Sequence, residues 1–569
     1  MCGIAGIVTT KTNESGLLLE SMLRAMQHRG PDGAGFAIGG IVERRDRIEE
    51  LDFRTPRGEI ALGHIRLAIT GEATALQPFQ SRDGKIVLLH NGELYNHEEL
   101  RYQLNTSYPF ETRSDSEVIV RLVEKFYQGD LEEALVKTLP LLDGVYCLAL
   151  TDNKKVVIAR DRIGVRQLYY CKNHTGGAAF ASEKKPLMTL ASNRSEIRRL
   201  LPGTMATIDT HSIREQRFWS SDMIRSTERI TNEKEALRFY GEAITEAVRK
   251  RVAGRKRVGI IFSGGIDSLL IAHLVRELGV PFTCYTAGRG EQAVDLEWAI
   301  RLADRFDFPL VTRELTTNDV GDLLENIITD IEDHSLNQVE VAVPIYASVQ
   351  LAQEAGERVI LTGQGADELF GGYLWYASIV DQESYQAFEQ RSWEDAFLLY
   401  KECLEREDKI AMAHSMELRV PFLDPAVIAV AFAIAPELKI KRGGDALGKR
   451  VHREYCVSVG IPEEIAYRKK EAAQHGANVH TAFEELAQRL GLTDQDVVAA
   501  GYDPEKSVSE KLGSSSRYGF RYGDHHLWKP LPHVQYFLDS IAAPTGILPD
   551  LALAQWKAIS NRLSIEKRP

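Results

Sequence analysis

The sequence predicts two folds in succession, an α+β domain built on antiparallel sheets and then an α/β domain with a doubly wound parallel sheet. The 569 residues exceed the usual size of one domain, so two to four domains are expected. The first two hundred residues hold short β-rich runs separated by glycines, such as KIVLLHNGE and GVYCLALTD, which favours antiparallel sheets. From residue 235, strand-like and helix-like runs alternate, a pattern typical of a parallel sheet with helices on both faces.

The predicted domains are 1–215 and 235–569, the latter ending in a mostly helical part. Residues 217–234 are polar with little hydrophobic periodicity and are interpreted as a linker. No role is assigned to the C-terminal extension 480–569. The densely charged stretch Ile41–Arg57 is expected to be a solvated hairpin or loop.

Composition excludes several classes of protein. A net charge of −12 with 44% hydrophobic and 26% charged residues is typical of a globular chain and lacks the basic footprint of a nucleic-acid binder. The longest apolar run, Ala426–Ala435, is too short to cross a membrane and predicts a buried core helix. We therefore expect neither nucleic acid nor membrane as a partner.

Cysteine and histidine spacing adds two expectations. The six cysteines include no CxxC pair, which argues against a zinc site or a disulfide framework, and five of them are expected to be ordinary buried residues. The start of the chain lacks a secretory pattern, so a cytoplasmic location is expected. His525, His526 and His533 lack a metal-ligand spacing and are assigned packing or surface roles.

Cys2 is the exception among the cysteines. After removal of Met1 it would carry both a thiol and a free α-amine, whose pKa near 8 lets the amine act as a base for the thiol. The Asn91–Gly92 pair follows a β run and could supply a side-chain amide and a backbone N–H to an oxyanion hole. Arg66 and Asp115 are further charged groups beside apolar segments.

In order along the chain, MCGIAG, HRGPDG, NGELYNH, SDSEV and ASEKKPL resemble the N-terminal-nucleophile glutaminase domain of class II glutamine amidotransferases. The resemblance covers about the first 200 residues and implies a layered αββα fold. It implies that Cys2 attacks the glutamine side-chain amide, with the oxyanion held by Asn91 and Gly92. The glutamine itself would be bound by four side chains: Arg66, Asn91, Glu93 and Asp115. Where the family usually reads Lys-Pro, this chain has Arg166–Gln167, which we interpret as shaping the interface between the domains.

A glycine turn follows the predicted strand Val258–Phe262 and precedes a helical pattern, a geometry that aims free backbone N–H groups at an anion. The turn reads SGGIDS and resembles the PP-loop of ATP pyrophosphatases, which cleave ATP to AMP and pyrophosphate. The residues expected to bind ATP or pyrophosphate here are Ser263, Gly264, Gly265, Asp267 and Ser268. Asp267 is also a predicted Mg²⁺ ligand.

A second glycine-rich strand end, RVILTGQGADELFGGY (Arg358–Tyr373), places Asp367 as a second metal ligand and Thr362 and Gly363 as pyrophosphate contacts. With SGGIDS upstream, it resembles the asparagine synthetase family, as do ELRVPFLD and GKRVHRE. By that resemblance Lys449 is an active-site lysine that neutralises charge on an acyl-adenylate. Gln364 departs from the family, which often has Glu there, because a neutral amide cannot act as a general base.

The two resemblances together imply an ATP-dependent carbon–nitrogen ligase with glutamine as amide donor. The expected reaction converts L-aspartate to L-asparagine through β-aspartyl-AMP, with ATP as substrate and Mg²⁺ as cofactor. A homodimer is the default expectation. Gln364 leaves open a different carboxylate acceptor. The motifs also leave open two weaker hypotheses, a class II amidotransferase of another kind and a non-catalytic relic.

Overall fold

The computed structural model describes nine stretches of the chain: residues 2–104, 107–174, 176–191, 193–225, 228–290, 292–445, 447–469, 473–508 and 531–563. The chain forms two compact units. Unit 1 comprises Met1–Val258, Leu270–Pro281 and Glu357–Lys469. Unit 2 comprises Gly259–Leu269, Phe282–Gly356 and Lys470–Pro569.

The N-terminal part of unit 1 is rich in strands. They are β1 (Gly3–Val8), β2 (Ala34–Ile38), β3 (Ile41–Arg45), β4 (Ile60–Ile65), β5 (Phe79–Gln80), β6 (Val87–Leu94), β7 (Gly144–Thr151), β8 (Val156–Arg160), β9 (Tyr169–Lys172), β10 (Ala178–Ala181), β11 (Arg198–Arg199), β12 (Thr204–Ile208) and β13 (Ile213–Arg217). The helices are α1 (Ser15–Arg24), α2 (His97–Leu104), α3 (Asp115–Phe126) and α4 (Leu131–Thr138).

These strands form two antiparallel sheets, with orders β11-β9-β10-β1-β4-β2-β3 and β13-β12-β8-β7-β6-β5. Alternate side chains of each strand point to opposite faces, so Ile4 and Val8 join one core with Leu89 of the other sheet. The outer faces carry α1 on the first sheet and α3 with α4 on the second. The layers are therefore helix, sheet, sheet and helix, which confirms the predicted αββα fold.

The charged stretch Ile41–Arg57 begins as an edge strand of the first sheet, with β3 pairing antiparallel to β2. Its residues there are exposed at both ends of the strand and partly exposed between them, in line with the expected hairpin. The expectation of a wholly solvated segment is wrong further along, because Ile48, Leu51 and Phe53 are buried in the core under α1.

The remainder of the chain alternates strands and helices and then becomes helical. The elements are α5 (Glu233–Val252), β14 (Val258–Ile261), α6 (Ile266–Glu277), β15 (Phe282–Arg289), α7 (Val294–Phe306), β16 (Leu310–Leu315), α8 (Thr317–Ile331), α9 (Leu336–Glu354), β17 (Val359–Leu361), α10 (Ala366–Phe370), α11 (Leu374–Gln382), α12 (Tyr385–Leu399), α13 (Glu405–Ala413), β18 (Glu417–Arg419), α14 (Pro425–Ala433), α15 (Arg450–Ser458), α16 (Glu463–Ala466), α17 (Ala473–Gly476), α18 (His480–Arg489), α19 (Asp494–Ala499), α20 (Pro504–Ser507), α21 (Pro532–Thr545) and α22 (Asp550–Leu563).

The pairing of these strands is parallel, as predicted. In unit 2, β15 pairs with β16, and Phe262 N donates to the Tyr285 carbonyl oxygen next to β14. In unit 1, β17 pairs in parallel with β18. The apolar run Ala426–Ala435 lies mostly in α14, whose Val427, Ile428 and Ala431 are buried, which confirms the predicted core helix.

The C-terminal extension packs around Asp539 in unit 2. The buried Asp539 carboxylate accepts hydrogen bonds from Tyr502 Oη and Ser507 Oγ, both at 2.7 Å, and from Gln535 Nε2 at 3.1 Å. Gln535 also donates to the His334 carbonyl oxygen before α9. The extension is thus held to the rest of its own unit by a buried polar cluster.

The histidines, cysteines and longest helices test three smaller expectations. His533 is buried and its Nδ1 lies 2.7 Å from Asp494 Oδ1, whereas His525 and His526 lie outside the described residues. Four of the five remaining cysteines are buried, but Cys403 is only partly so. Within the described part of the chain no single helix is long and apolar enough to cross a membrane, and α21 and α22 reach that length only as a pair bent by 110°.

Candidate active sites

The predicted nucleophile immediately precedes β1 and lies next to the predicted oxyanion residue Asn91 in unit 1. Cys2 is 7% exposed, its N–H donates to Asn91 Oδ1 at 3.1 Å, and its Sγ lies 3.9 Å from the Leu67 carbonyl oxygen. Burial raises the pKa of the thiol, while the neighbouring Arg66 guanidinium lowers it. A base is therefore needed to ionise this thiol at neutral pH.

Asn91 and Gly92 are consecutive residues of β6, paired with Cys147 and Tyr146 of β7. A Cβ at position 92 would lie 2.1 Å from the Val145 carbonyl oxygen. Only glycine fits so close to the neighbouring strand. Asn91 Nδ2 lies 3.4 Å from Ser182 Oγ, a long contact that leaves the amide able to turn to an oxyanion.

The predicted glutamine-binding side chains lie in unit 1 and are all buried. Arg66 extends from the end of β4 and donates to the carbonyl oxygens of Glu72 and Ala73, so its guanidinium is positioned by that loop. Asp115 begins α3 and accepts from Leu94 N and Ser116 N, both at 2.9 Å. Burial raises the pKa of Asp115, and these backbone donors lower it.

Glu93 is positioned by residues distant in the sequence. Its Oε1 accepts from Thr70 Oγ1 at 2.6 Å and lies 3.5 Å from Arg419 of β18. Burial raises the pKa of Glu93 to about 7, a rise that Arg419 opposes and Glu417 and Asp115 reinforce. The protonation state of a predicted substrate ligand is thus controlled from a strand some 300 residues later in the chain.

A buried arginine supports the nucleophile from behind. Arg29 of the HRGPDG motif is fully buried and its Nε donates to the Cys2 carbonyl oxygen at 3.2 Å. Its two terminal nitrogens contact the Glu183 carboxylate at 2.9 Å and the Asp408 carboxylate of α13 at 3.2 Å. Asp408, which lies in the predicted second domain, therefore contacts the arginine that holds the backbone of Cys2.

The family departure at Arg166–Gln167 lies on the same contact surface within unit 1. Arg166 Nη1 lies 2.8 Å from Asp408 Oδ1, and Nη2 donates to the Leu418 carbonyl oxygen at 3.1 Å. Gln167 Nε2 donates to the Leu404 carbonyl oxygen at 3.3 Å. Both side chains connect the antiparallel sheets to residues 404–418.

The SGGIDS turn in unit 2 has the geometry of a phosphate cradle. Gly264 adopts a left-handed backbone with φ +66°, and a Cβ there would lie 2.7 Å from Ala299 N. Gly265 N is 3.3 Å from Ser263 Oγ, and Ser268 Oγ donates to the Gly265 carbonyl oxygen. The turn leads directly into α6, whose first turn contains Asp267. Two glycines at a helix N-terminus suit close approach of phosphate oxygens.

The second glycine-rich motif, in unit 1, brings Asp367 and Lys449 together. Lys449 Nζ lies 2.6 Å from Asp367 Oδ1, and the lysine is 1% exposed. A Cβ on Gly372 would lie 2.0 Å from that same Oδ1, so the GGY glycine makes room for the ion pair. Thr362 N donates to the Arg419 carbonyl oxygen at 3.1 Å, and Gly363 and Gln364 follow with part of their surface exposed.

The residues predicted to hold Mg²⁺ differ in how well they suit it. Asp267 is a carboxylate beside the open glycine turn, and carboxylate oxygens are ligands that Mg²⁺ prefers. Asp367 already has one oxygen paired with Lys449, so a metal ion would share that carboxylate with an ammonium group. Among the described residues there is no cluster of three or more His, Cys, Asp or Glu side chains that could hold a metal.

Comparisons with known proteins match two successive parts of the chain. Residues 1–217 match the family described as "Glutamine amidotransferase domain", and residues 240–383 and 380–539 match the family described as "Asparagine synthase". A putative glutamine-hydrolysing asparagine synthetase of Methanocaldococcus jannaschii is 32% identical over 545 residues, which cover 87% of this chain and 97% of that protein.

The chain belongs to the asparagine synthetase family. This confirms the predicted family and the predicted class of enzyme, a glutamine-hydrolysing ligase. Other family members include a probable asparagine synthetase of Schizosaccharomyces pombe, 30% identical with 80% of each chain covered, and that of Zea mays, 29% identical with 84% of this chain and 78% of that protein covered. A solved glutamine phosphoribosylpyrophosphate amidotransferase of B. subtilis is 22% identical over 51% of this chain and 67% of that one, with a TM-score of 0.34.

Four charged residues lie around Cys2 and Glu93 in this member of the asparagine synthetase family, and the sequence analysis assigned none of them a role. They are Arg29, Asp408, Glu417 and Arg419. A signal exists in ELRV, where two opposite charges alternate with apolar residues in β18 and so face the same side of a strand. The sequence does not indicate which carboxylate contacts Arg419, because Glu93 lies in the other predicted domain.

Proposed function

We propose that this chain is a glutamine-dependent asparagine synthetase that activates L-aspartate with ATP. The observation that carries the proposal is the presence of both half-sites in a single chain, the Cys2–Asn91 arrangement and the SGGIDS turn, in a member of this family. The products would be L-asparagine, glutamate, AMP and pyrophosphate.

In the proposed glutaminase step, Cys2 becomes N-terminal when Met1 is removed, and its α-amine takes the thiol proton. Sγ then attacks the side-chain carbonyl carbon of glutamine, and the resulting oxyanion is held by Asn91 Nδ2 and the Gly92 N–H. Collapse of this intermediate releases ammonia and leaves a thioester, which water hydrolyses to glutamate. Arg66 would hold the substrate carboxylate, and the ammonium group would lie between Glu93 and Asp115.

In the proposed synthetase step, the aspartate side-chain carboxylate attacks the α-phosphorus of ATP, giving β-aspartyl-AMP and pyrophosphate. Ammonia then attacks the acyl carbon, and AMP leaves. Ser263, Gly264, Gly265 and Ser268 would hold the departing phosphates, with Thr362 and Gly363 as further contacts. Mg²⁺, when bound, supplies positive charge to those phosphates, with Asp267 and Asp367 as the proposed ligands.

A second candidate is an amide synthetase that acts on a different carboxylate, and Gln364 favours it. The Gln364 side chain makes no hydrogen bond with any residue in the described part of the chain and offers an amide where many family members have an acid. An amide can hold a substrate group but cannot remove a proton from the attacking ammonia.

The test measures pyrophosphate and glutamate release with glutamine, ATP and a panel of carboxylic acids. Pyrophosphate release that requires aspartate, with asparagine among the products, supports the first candidate. Release that follows another acid and ignores aspartate establishes the second. In the Cys2→Ala variant we expect synthesis from glutamine to be lost and synthesis from added ammonia to be retained, whichever acid is used.

A further inference from the structure

The loop between β4 and β5 contributes several contacts to the proposed glutamine site, and its residues 66–74 are called the glutamine loop. It supplies Arg66, whose guanidinium is held by carbonyl oxygens of the same loop. It also supplies Leu67, whose carbonyl oxygen lies 3.9 Å from the Sγ of the nucleophile, and Thr70, which donates to Glu93 at 2.6 Å. The alignment of the proposed substrate ligands therefore depends on how this loop is held.

Arg255 holds the glutamine loop from a distant part of the sequence. It lies in the connection between α5 and β14, three residues before β14 begins. Its Nη1 donates to the Ile69 carbonyl oxygen at 2.6 Å, and its Nη2 donates to Thr70 Oγ1 at 3.3 Å. All three residues belong to unit 1 and are partly buried. One planar guanidinium thus contacts two successive residues of the loop, a task for which its several fixed donors are suited.

Thr70 connects Arg255 to Glu93. A hydroxyl group can accept and donate hydrogen bonds at the same time. Thr70 Oγ1 accepts from the Arg255 guanidinium while it donates to the Glu93 carboxylate. Hydrogen bonds in such a chain polarise one another, so a hydroxyl that accepts from a cation becomes a stronger donor. Arg255 therefore stabilises the ionised form of Glu93 through Thr70.

Apolar packing holds the glutamine loop independently of these polar contacts. Leu67 and Ile69 pack with Met412 in a small apolar cluster. Because this packing does not involve Arg255, replacing that residue should change the polar contacts of the loop without unfolding it. The effect of the substitution should then appear in glutamine binding rather than in folding.

We propose that Arg255 is a positioning residue for glutamine, and that it acts through Thr70 on the Glu93 carboxylate. Arg255 does not touch glutamine in this scheme. It fixes the loop and favours the charged form of the carboxylate that receives the substrate ammonium group. The inference rests on the proposed glutaminase step and extends that step to a residue of the predicted second domain.

The test measures glutamate release from glutamine by the full-length protein in the absence of an acceptor acid. In Arg255→Met we expect the KM for glutamine to rise about tenfold. The kcat should stay within about twofold of the wild type, because a loss of binding that is equal in ground state and transition state raises KM alone. Arg255→Lys should give an intermediate KM, since lysine keeps the charge but lacks the planar set of donors. The matched control is Arg249→Met, which removes an exposed arginine of α5 that is paired with Glu246 on the same helix, and its KM should equal that of the wild type.

The pH dependence of KM separates an effect through Thr70 from a general loosening of the loop. Only ionised Glu93 attracts the substrate ammonium group, so KM falls as pH rises through the pKa of Glu93. Arg255→Met removes a contact that favours the ionised form and should move this inflection upward by about half a pH unit. In the Thr70→Val background the same substitution should move it no further. The other charged groups that act on Glu93 stay in place in these variants: Arg419, Glu417 and Asp115.

A wild-type KM in Arg255→Met overturns the proposal. So does an inflection that Arg255→Met leaves in place, or one that it shifts equally with and without Thr70→Val. Failure of the proposed glutaminase step has a different signature, because the wild type itself would then release no glutamate, and this inference would fall with it.

Discussion

Glutamine binding is expected to depend on pH through Glu93. Its pKa is raised to about 7, so the carboxylate is ionised above pH 7 and protonated below. Only the ionised form attracts the substrate ammonium group. The KM for glutamine should therefore fall as pH rises through 7. This is measured from glutamate release in the absence of the acceptor acid.

The size of the effect follows from the distance to Arg419. Two unit charges 3.5 Å apart interact by about 5 kcal/mol at an effective dielectric constant of about 20, which equals about 3.5 pKa units. Glu417, 2.8 Å from the same guanidinium, shares that charge. We therefore expect the inflection in KM to move up by at least about one unit in Arg419→Met.

Arg419→Met also removes the arginine beside the buried Glu93 and leaves the buried Glu417 paired with Arg166 at 3.6 Å, a change that costs about 3–5 kcal/mol of stability. Thr70→Val is the gentler variant, because it removes the 2.6 Å hydrogen bond to Glu93 and a longer one, of 3.3 Å, that Thr70 Oγ1 accepts from Arg255 Nη2. The loss of the bond to Glu93 should raise the inflection by about half a unit to one unit. The reasoning is refuted if the wild-type KM is flat from about pH 6 to 8, or if neither variant moves the inflection upward.

Three further predictions concern the other parts of the site. Gly264→Ala should abolish ATP-dependent pyrophosphate release because its Cβ would lie 2.7 Å from Ala299 N; Gly279→Ala, at a similar φ of +69° with open space around it, should cost only about 1–2 kcal/mol by thermal unfolding. Asp408→Asn leaves Arg29 and Arg166 without their shared carboxylate. It should lower the free energy of unfolding by about 3–5 kcal/mol and reduce glutaminase activity. An unchanged free energy of unfolding together with unchanged activity would contradict the role given to Asp408. Lys449→Met removes the ammonium group 2.6 Å from Asp367 Oδ1 and should destabilise the fold, while the double variant with Asp367→Asn should regain stability. If synthesis from ammonia stays lost in the regained fold, one or both side chains act in the reaction as well.

The local features of this protein could be predicted from its sequence because they depend on neighbouring residues. Short β-rich runs separated by glycines predicted the antiparallel sheets, and alternating strand-like and helix-like runs predicted the parallel strands, since those patterns reflect side-chain direction over a few residues. The αββα order of the layers was implied by the family resemblance. The motifs around Cys2, Asn91 and SGGIDS predicted the two half-sites for the same reason. The partial failure at Ile41–Arg57 shows the limit, because three apolar residues within a charged stretch are buried by a helix elsewhere in the chain.

Only the tertiary structure decided how charges are shared. Asp408 contacts Arg29 and Arg166, and Arg419 contacts Glu93, pairs separated by more than 200 residues that no local period can indicate. Lys449 and Asp367 were predicted for separate tasks, and the structure places them in one ion pair. The sequence by itself determined which reactive groups the chain carries. Folding determined their charge states, because burial raises the cost of every unpaired charge and so makes each group depend on distant partners.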